Sequence, residues 1–218
     1  MKSEPSCPRC GRAVHPPGLW SSAWQCDAHG PVVPLRHLLE PTLASLELLS
    51  DSAQVPMWIP WPLPSGWVVT GFADAGDERS GALATVVALS GPAPLGGVGD
   101  LAIVAEEPGI GLACRLAGMA GADPGDGFDS GAPDGKVRHD GHDIALWSID
   151  AGAQYAVYVG EAMANWLWFV FSPADTGVLM CEITAVRDLS DRHDGDVAME
   201  PPFGALSPFL TEALRPRQ

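Results

Sequence analysis

Positive charge is scarce in this chain. Its 218 residues hold 12 lysines and arginines against 27 aspartates and glutamates, and the formal net charge is -15. A body of that sign repels a phosphate backbone, which disfavours nucleic acid as a partner. The deficit is uneven: residues 1–50 carry four basic and four acidic side chains, and the remainder carries eight and 23. The N-terminal part is thus neutral, but it has few cations to offer a nucleic acid. Long hydrophobic runs are also missing. None approaches the roughly 18 residues that a membrane-spanning helix needs, so no membrane partner is expected. The opening residues MKSEPSCPRC lack the apolar stretch of a secretory signal, and the expected compartment is the cytoplasm.

Several catalytic signatures are lacking as well. There is no Walker sequence and no Gly-x-Ser-x-Gly elbow. The stretch GIGLAC begins like a dinucleotide fingerprint, but Cys114 stands where the third glycine belongs. The loop DPGDGFD, residues 123–129, lacks the alternating carboxylates of a calcium loop. The segment RHDGHD brings His139, Asp140, His142 and Asp143 together at the tip of an expected hairpin. Such a tip could bind a metal or supply an acid and a base, although polar hairpin tips are commonly just solvated.

What the chain does have is a concentration of cysteine at one end. Of five cysteines, Cys7, Cys10 and Cys26 lie within the first 26 residues. In a chain expected to be intracellular, that clustering favours metal over disulfides. CPRCG at 7–11 and CDAHG at 26–30 share one pattern: a ligand, two residues, a second ligand, then glycine. Two ligands three positions apart in a tight turn can face one ion, and the trailing glycine lets the backbone turn. Cys7, Cys10, Cys26 and His29 thus form a candidate Cys₃His zinc site of structural type, closed by four protein ligands. His15 is a rival fourth ligand that lacks the knuckle spacing. Trp20 and Trp24 are expected to cover the site. The remaining thiols, Cys114 and Cys181, sit among apolar residues and are expected to be core.

The rest divides by composition into four parts: a zinc-ribbon-like head (1–34), a helical and Pro/Trp-rich connector (35–66), a body (67–200) and a tail (201–218). In the connector, Leu43, Leu46, Leu49 and Ala53 recur at helical spacing. PMWIPWPLPSGW follows, an extended proline–tryptophan stretch. It either lies flat over the core or offers itself to a proline-recognising domain. The body reads as strand after strand separated by turns, with a short helix expected within GIGLACRLAG, residues 109–118, carrying Leu112, Cys114 and Leu116, and a hairpin turning at Asp140–Gly141. Val178, Leu179, Ile183, Val186 and Leu189 predict one long amphipathic helix within 174–189. The expected fold class is α+β: a small zinc ribbon, then a mostly antiparallel sheet with one long helix packed on it.

The stretches SCPRCG, PGLWSSAWQCDAHG, WPLPSGW, SGPAPLGG, NWLWFVF and GALSP together resemble an actinobacterial family, a domain of unknown function with an N-terminal zinc-ribbon-like head. The resemblance spans nearly the whole chain and implies the zinc ligands Cys7, Cys10, Cys26 and His29, but no reaction. More loosely, the body is similar to small α+β domains of bacterial regulatory and envelope proteins, which are generally not enzymes. The expectation is a non-catalytic, zinc-stabilised binding or regulatory protein. Its partner would be a protein or small ligand, met at an apolar patch around Trp20, Trp58 and Trp61. The alternative is an enzyme, a hydrolase or transferase, with a site in the body near the His139–Asp143 hairpin.

Overall fold

The computed structural model describes residues 4–19, 21–191 and 200–217. The head carries a hairpin of two short strands, β1 (Trp24–Cys26) and β2 (Gly30–Val32). The connector supplies helix α1 (Leu43–Ser52) and strand β3 (Trp58–Pro60). Helix α1 starts where it does because the Thr42 hydroxyl accepts from the Ser45 amide, satisfying one of the free N–H groups of the first turn.

The body opens with β4 (Val68–Asp77), β5 (Gly81–Pro92) and β6 (Val98–Glu106), then the short helix α2 (Leu112–Leu116). After a long loop come β7 (Gly135–His139), β8 (His142–Ile149), β9 (Ala156–Ala162) and β10 (Asn165–Ser172). These seven form one antiparallel sheet in the order β4-β5-β6-β10-β9-β8-β7. The hairpin between β7 and β8 turns at Asp140 and Gly141, both at positive φ, as a two-residue turn of matching twist requires. Strand β11 (Val186–Asp188) pairs with β3 in a separate ribbon, and helix α3 (Pro208–Ala213) closes the chain.

Strands β5, β6 and β10 are apolar on both faces, since both faces are covered. Val87, Leu101, Ile103, Phe169 and Phe171 meet α1, β3 and the segment 179–186. Val86, Ala102, Val104, Trp168 and Val170 meet α2, α3 and Leu35. The head joins the second layer: Ser6 bridges Leu35, and Leu35 in turn bridges Ala75 of β4.

The α+β class holds, with a mostly antiparallel sheet, but the long helix expected within 174–189 does not form. Ala174–Cys181 is a 3₁₀ helix, and Val186–Asp188 is strand. Packing decides this. A Cβ on Gly177 would lie 2.4 Å from the Ala156 Cβ, so that turn presses its backbone against β9. Val186 is drawn into register with Pro60, 126 positions back in the chain, and Val178 is left half-exposed. Cys181, expected in the core, is exposed; Cys114 is fully buried.

Candidate metal centre

Two tight turns build the site. In the first, the Gly11 amide donates to the Cys7 carbonyl (2.8 Å) and the Cys7 amide to the Arg12 carbonyl (2.7 Å). In the second, the His29 amide donates to the Cys26 carbonyl (3.3 Å). Gly11 and Gly30, each following a ligand position, have φ of 76° and 68°, a left-handed backbone that only glycine adopts freely. The β1–β2 pairing of Cys26 with Gly30 sets the second turn.

These turns bring the Cys7, Cys10 and Cys26 sulfurs and a His29 ring nitrogen within 4.8 Å of one another. Cys10 Sγ lies 3.7 Å from Cys26 Sγ, and His29 Nδ1 lies 3.5 Å from Cys7 Sγ and 3.6 Å from Cys26 Sγ. Tetrahedral zinc with bonds of about 2.3 Å to sulfur and about 2.0 Å to nitrogen has edges of about 3.8 Å between sulfurs and about 3.5 Å between sulfur and nitrogen. The three separations of 3.5, 3.6 and 3.7 Å match those edges, and the four side chains could hold a metal ion. At 3.7 Å the two sulfurs are also too far apart for a disulfide, and all five cysteines are free. Val14, Trp24 and Val32 pack over Cys7 and Cys26. Trp20 lies outside the described residues. His15 turns away to an exposed contact with Asp27 at 3.3 Å, which removes it as the rival ligand.

The thiols differ in readiness to ionise. Burial pushes Cys7 up to about 11. Burial also acts upward on Cys26, but the Ala28 and His29 amides and the neighbouring thiols outweigh it and hold that thiol below the ordinary value. Amides directed at the sulfur thus prepare it to be a thiolate.

The site is bolted to the body by two arginines. Arg9, between the first two cysteines, donates to the carbonyls of Gly109 and Ile110. Arg115 of α2 is only 7% exposed and donates to the carbonyls of Cys7 (3.1 Å), Ala213 (3.1 Å) and Arg215 (2.9 Å). Burial brings its pKa down to about 10, the direction that desolvation of a cation dictates. Spacing could not have singled out Arg115. Its signal in the sequence is a lone cation in the apolar run GIGLACRLAG.

A second buried ionisable group also escaped the sequence pattern. Glu106 is fully buried at the end of β6, where its Oε2 accepts from the Leu112 amide (2.8 Å) and the Ala113 amide (3.4 Å), and its Oε1 has no partner. Desolvation raises its pKa from 4.5 to about 8, against those two amides. It opens α2, the helix that carries Arg115.

The His139–Asp143 residues do not gather into one cluster: His139 Nε2 lies 3.4 Å from the exposed Asp140 carboxylate, and Asp143 pairs elsewhere. Asp143 pairs with Lys136 (2.6 Å) and Arg138 (3.1 Å), while His139 turns inward, its ring edge-on to Trp58 at 4.6 Å and its Nδ1 3.4 Å from the Val186 carbonyl. Asp143 lines an open cleft of about 550 Å³ with Tyr158, Cys181 and Thr184. Among the described residues, no hydrogen bond joins Cys181 to a base, and no other group of three or more His, Cys, Asp or Glu side chains gathers as the head cluster does. Trp58 is 1% exposed and belongs to the layer opposite the head. That removes it from the expected surface patch, because β3 turns it under the sheet. Trp61 is half-buried, with the Arg187 guanidinium 5.5 Å above its ring. No helix of the described residues is long and apolar enough to cross a membrane.

A family model described as a family of unknown function (DUF6758) matches residues 1–210. No curated protein and no solved structure gives a significant match.

Proposed function

The chain belongs to that family of unknown function, and we propose that it is a zinc-stabilised, non-catalytic binding protein of the cytoplasm. The observation that carries the metal reading is the gathering of the Cys7, Cys10, Cys26 and His29 donors within 4.8 Å of one another, three of their separations having the edge length of a zinc tetrahedron. Thiolates with imidazole in that geometry select zinc over the harder divalent ions. When bound, zinc supplies a crosslink between the two knuckles. Four protein ligands leave it no open position for water, so the ion is structural. A head of this size lacks the apolar core to fold unaided, and metal binding supplies its folding free energy.

The partner is a protein or a small ligand rather than a nucleic acid. The support is the acidic body and the firm anchoring of the head, which leaves a rigid surface for recognition. Trp61 is the residue through which an apolar partner would be gripped, since partly exposed tryptophans commonly dominate binding energy. The experiment is purification under reducing conditions without chelator, followed by metal analysis of wild type and Cys26→Ser. About one zinc per wild-type chain and a clear loss in the variant is the expected result. A wild-type protein free of zinc would refute the metal reading.

A further inference from the structure

Arg115 poses a problem of charge that its hydrogen bonds do not solve. A guanidinium buried without a counter-ion is expensive. Its donors reach the three carbonyls of Cys7, Ala213 and Arg215. Carbonyls satisfy donors but carry no net charge. Among the described residues no carboxylate lies within ion-pair distance of it. Among the described residues, the anionic group at hand is in the head. Three thiolates and a neutral imidazole around a dication leave one net negative charge, and the guanidinium rests against that cluster's first knuckle. A Cβ on Gly11 would come within 2.8 Å of Arg115 Nη2. The Cys7 carbonyl that accepts from Arg115 also accepts from the Gly11 amide and so closes the ligand turn.

The same knuckle holds the C-terminal segment. The Arg217 amide donates to the Gly11 carbonyl (2.8 Å), while Ala213 and Arg215 give their carbonyls to Arg115. Helix α3 itself has six residues, too few to be stable without such contacts.

We propose that Arg115 is the buried counter-ion of the metal–thiolate cluster, a positioning residue that raises metal affinity, and that through it the docking of residues 213–217 depends on the metal. The proposal rests on the zinc reading above. With zinc bound, the knuckle is rigid and its negative charge offsets the guanidinium. Without zinc the knuckle loosens, the guanidinium loses its anion, and the three C-terminal contacts weaken together. Linkage makes the effect reciprocal: whatever displaces the C-terminal segment weakens zinc binding by the same factor.

The experiment begins with the zinc content of the wild type, since a protein that never holds zinc refutes the reading beneath the proposal and is recognised at that step. With zinc present, competition against a chromophoric chelator compares wild type, Arg115→Gln and Arg115→Lys. Removing an outer-shell partner of a metal ligand costs about 10–100-fold in metal affinity, which is the loss expected for Gln. Lys keeps the charge and should recover most of the affinity, which a purely packing role would not do. Hydrogen exchange on the wild type needs no variant. Zinc removal should speed exchange across residues 210–217 while β5, β6 and β10 stay protected, and zinc addition should reverse it. Unchanged affinity in Arg115→Gln, or C-terminal exchange indifferent to zinc, would overturn the proposal.

Discussion

Glu106→Gln should stabilise the protein in mildly alkaline solution and flatten its dependence on pH. The carboxyl is fully buried, and its pKa rises from 4.5 to about 8 because desolvation outweighs the Leu112 and Ala113 amides. A raised carboxyl pKa means that the folded state holds a proton which the unfolded state has released between pH 4.5 and 8. Stability therefore falls as pH climbs through that window. At about 1.4 kcal/mol per unit, the full shift sets an upper limit of roughly 5 kcal/mol at pH 8 and above. Relaxation of the short helix α2 and entry of water reduce it, and the amide leaves a new donor where Oε1 has no partner. A net gain of about 2 kcal/mol for the variant at pH 8, and none or a small loss at pH 5, is the expected scale. The other titrations do not blur the comparison. Asp77, Asp134 and Asp143 have lowered pKa values and act below the window; Cys114 is raised to about 12 and acts above it, and the four metal ligands are common to both proteins and cancel. Asp74, raised by burial, is common to both proteins and cancels. Urea unfolding of the two zinc-loaded proteins at pH 5, 6, 7 and 8 reads the difference directly. A difference that stays constant across that range would refute the reasoning.

Chelation should remove the ordered structure of the head yet leave a cooperative melting transition for the body, whose two apolar layers do not involve the cluster; loss of all cooperative melting in chelator would contradict this. Trp58→Ala should cost about 3–5 kcal/mol by denaturant unfolding, because the ring is fully buried, whereas Trp61→Ala should leave the melting temperature nearly unchanged and weaken partner capture. Gly177→Ala should destabilise by about 1–3 kcal/mol, since its methyl would meet the Ala156 Cβ at 2.4 Å; a neutral outcome would mean that the 3₁₀ helix can lift from β9.

The knuckles were legible because ligand spacing and trailing glycines are local: Cys7 to Gly11 and Cys26 to Gly30 each close one turn without help from the rest of the chain. The β7–β8 hairpin was legible for the same reason, through Asp140 and Gly141. The stretch 174–189 was not, because its apolar spacing suits a helix while its structure is set by partners far away, β9 against Gly177 and β3 against Val186. Arg115 and Glu106 stand in the sequence as isolated charges with no motif around them. Their meaning depends on α2 lying over the sheet and under the head, which no window of sequence contains. Glu106 left one trace: it falls on the phase of β6 shared by Ala102 and Val104, which are both buried.

The most direct test of the central claim is X-ray absorption at the zinc edge of the purified, reduced protein. The expected spectrum is one zinc with three sulfur ligands at about 2.3 Å and one nitrogen at about 2.0 Å, the nitrogen shell vanishing from the native set when His29 is changed to Ala but persisting when His15 is. A zinc shell dominated by oxygen, or a nitrogen ligand lost with His15 instead of His29, would contradict it.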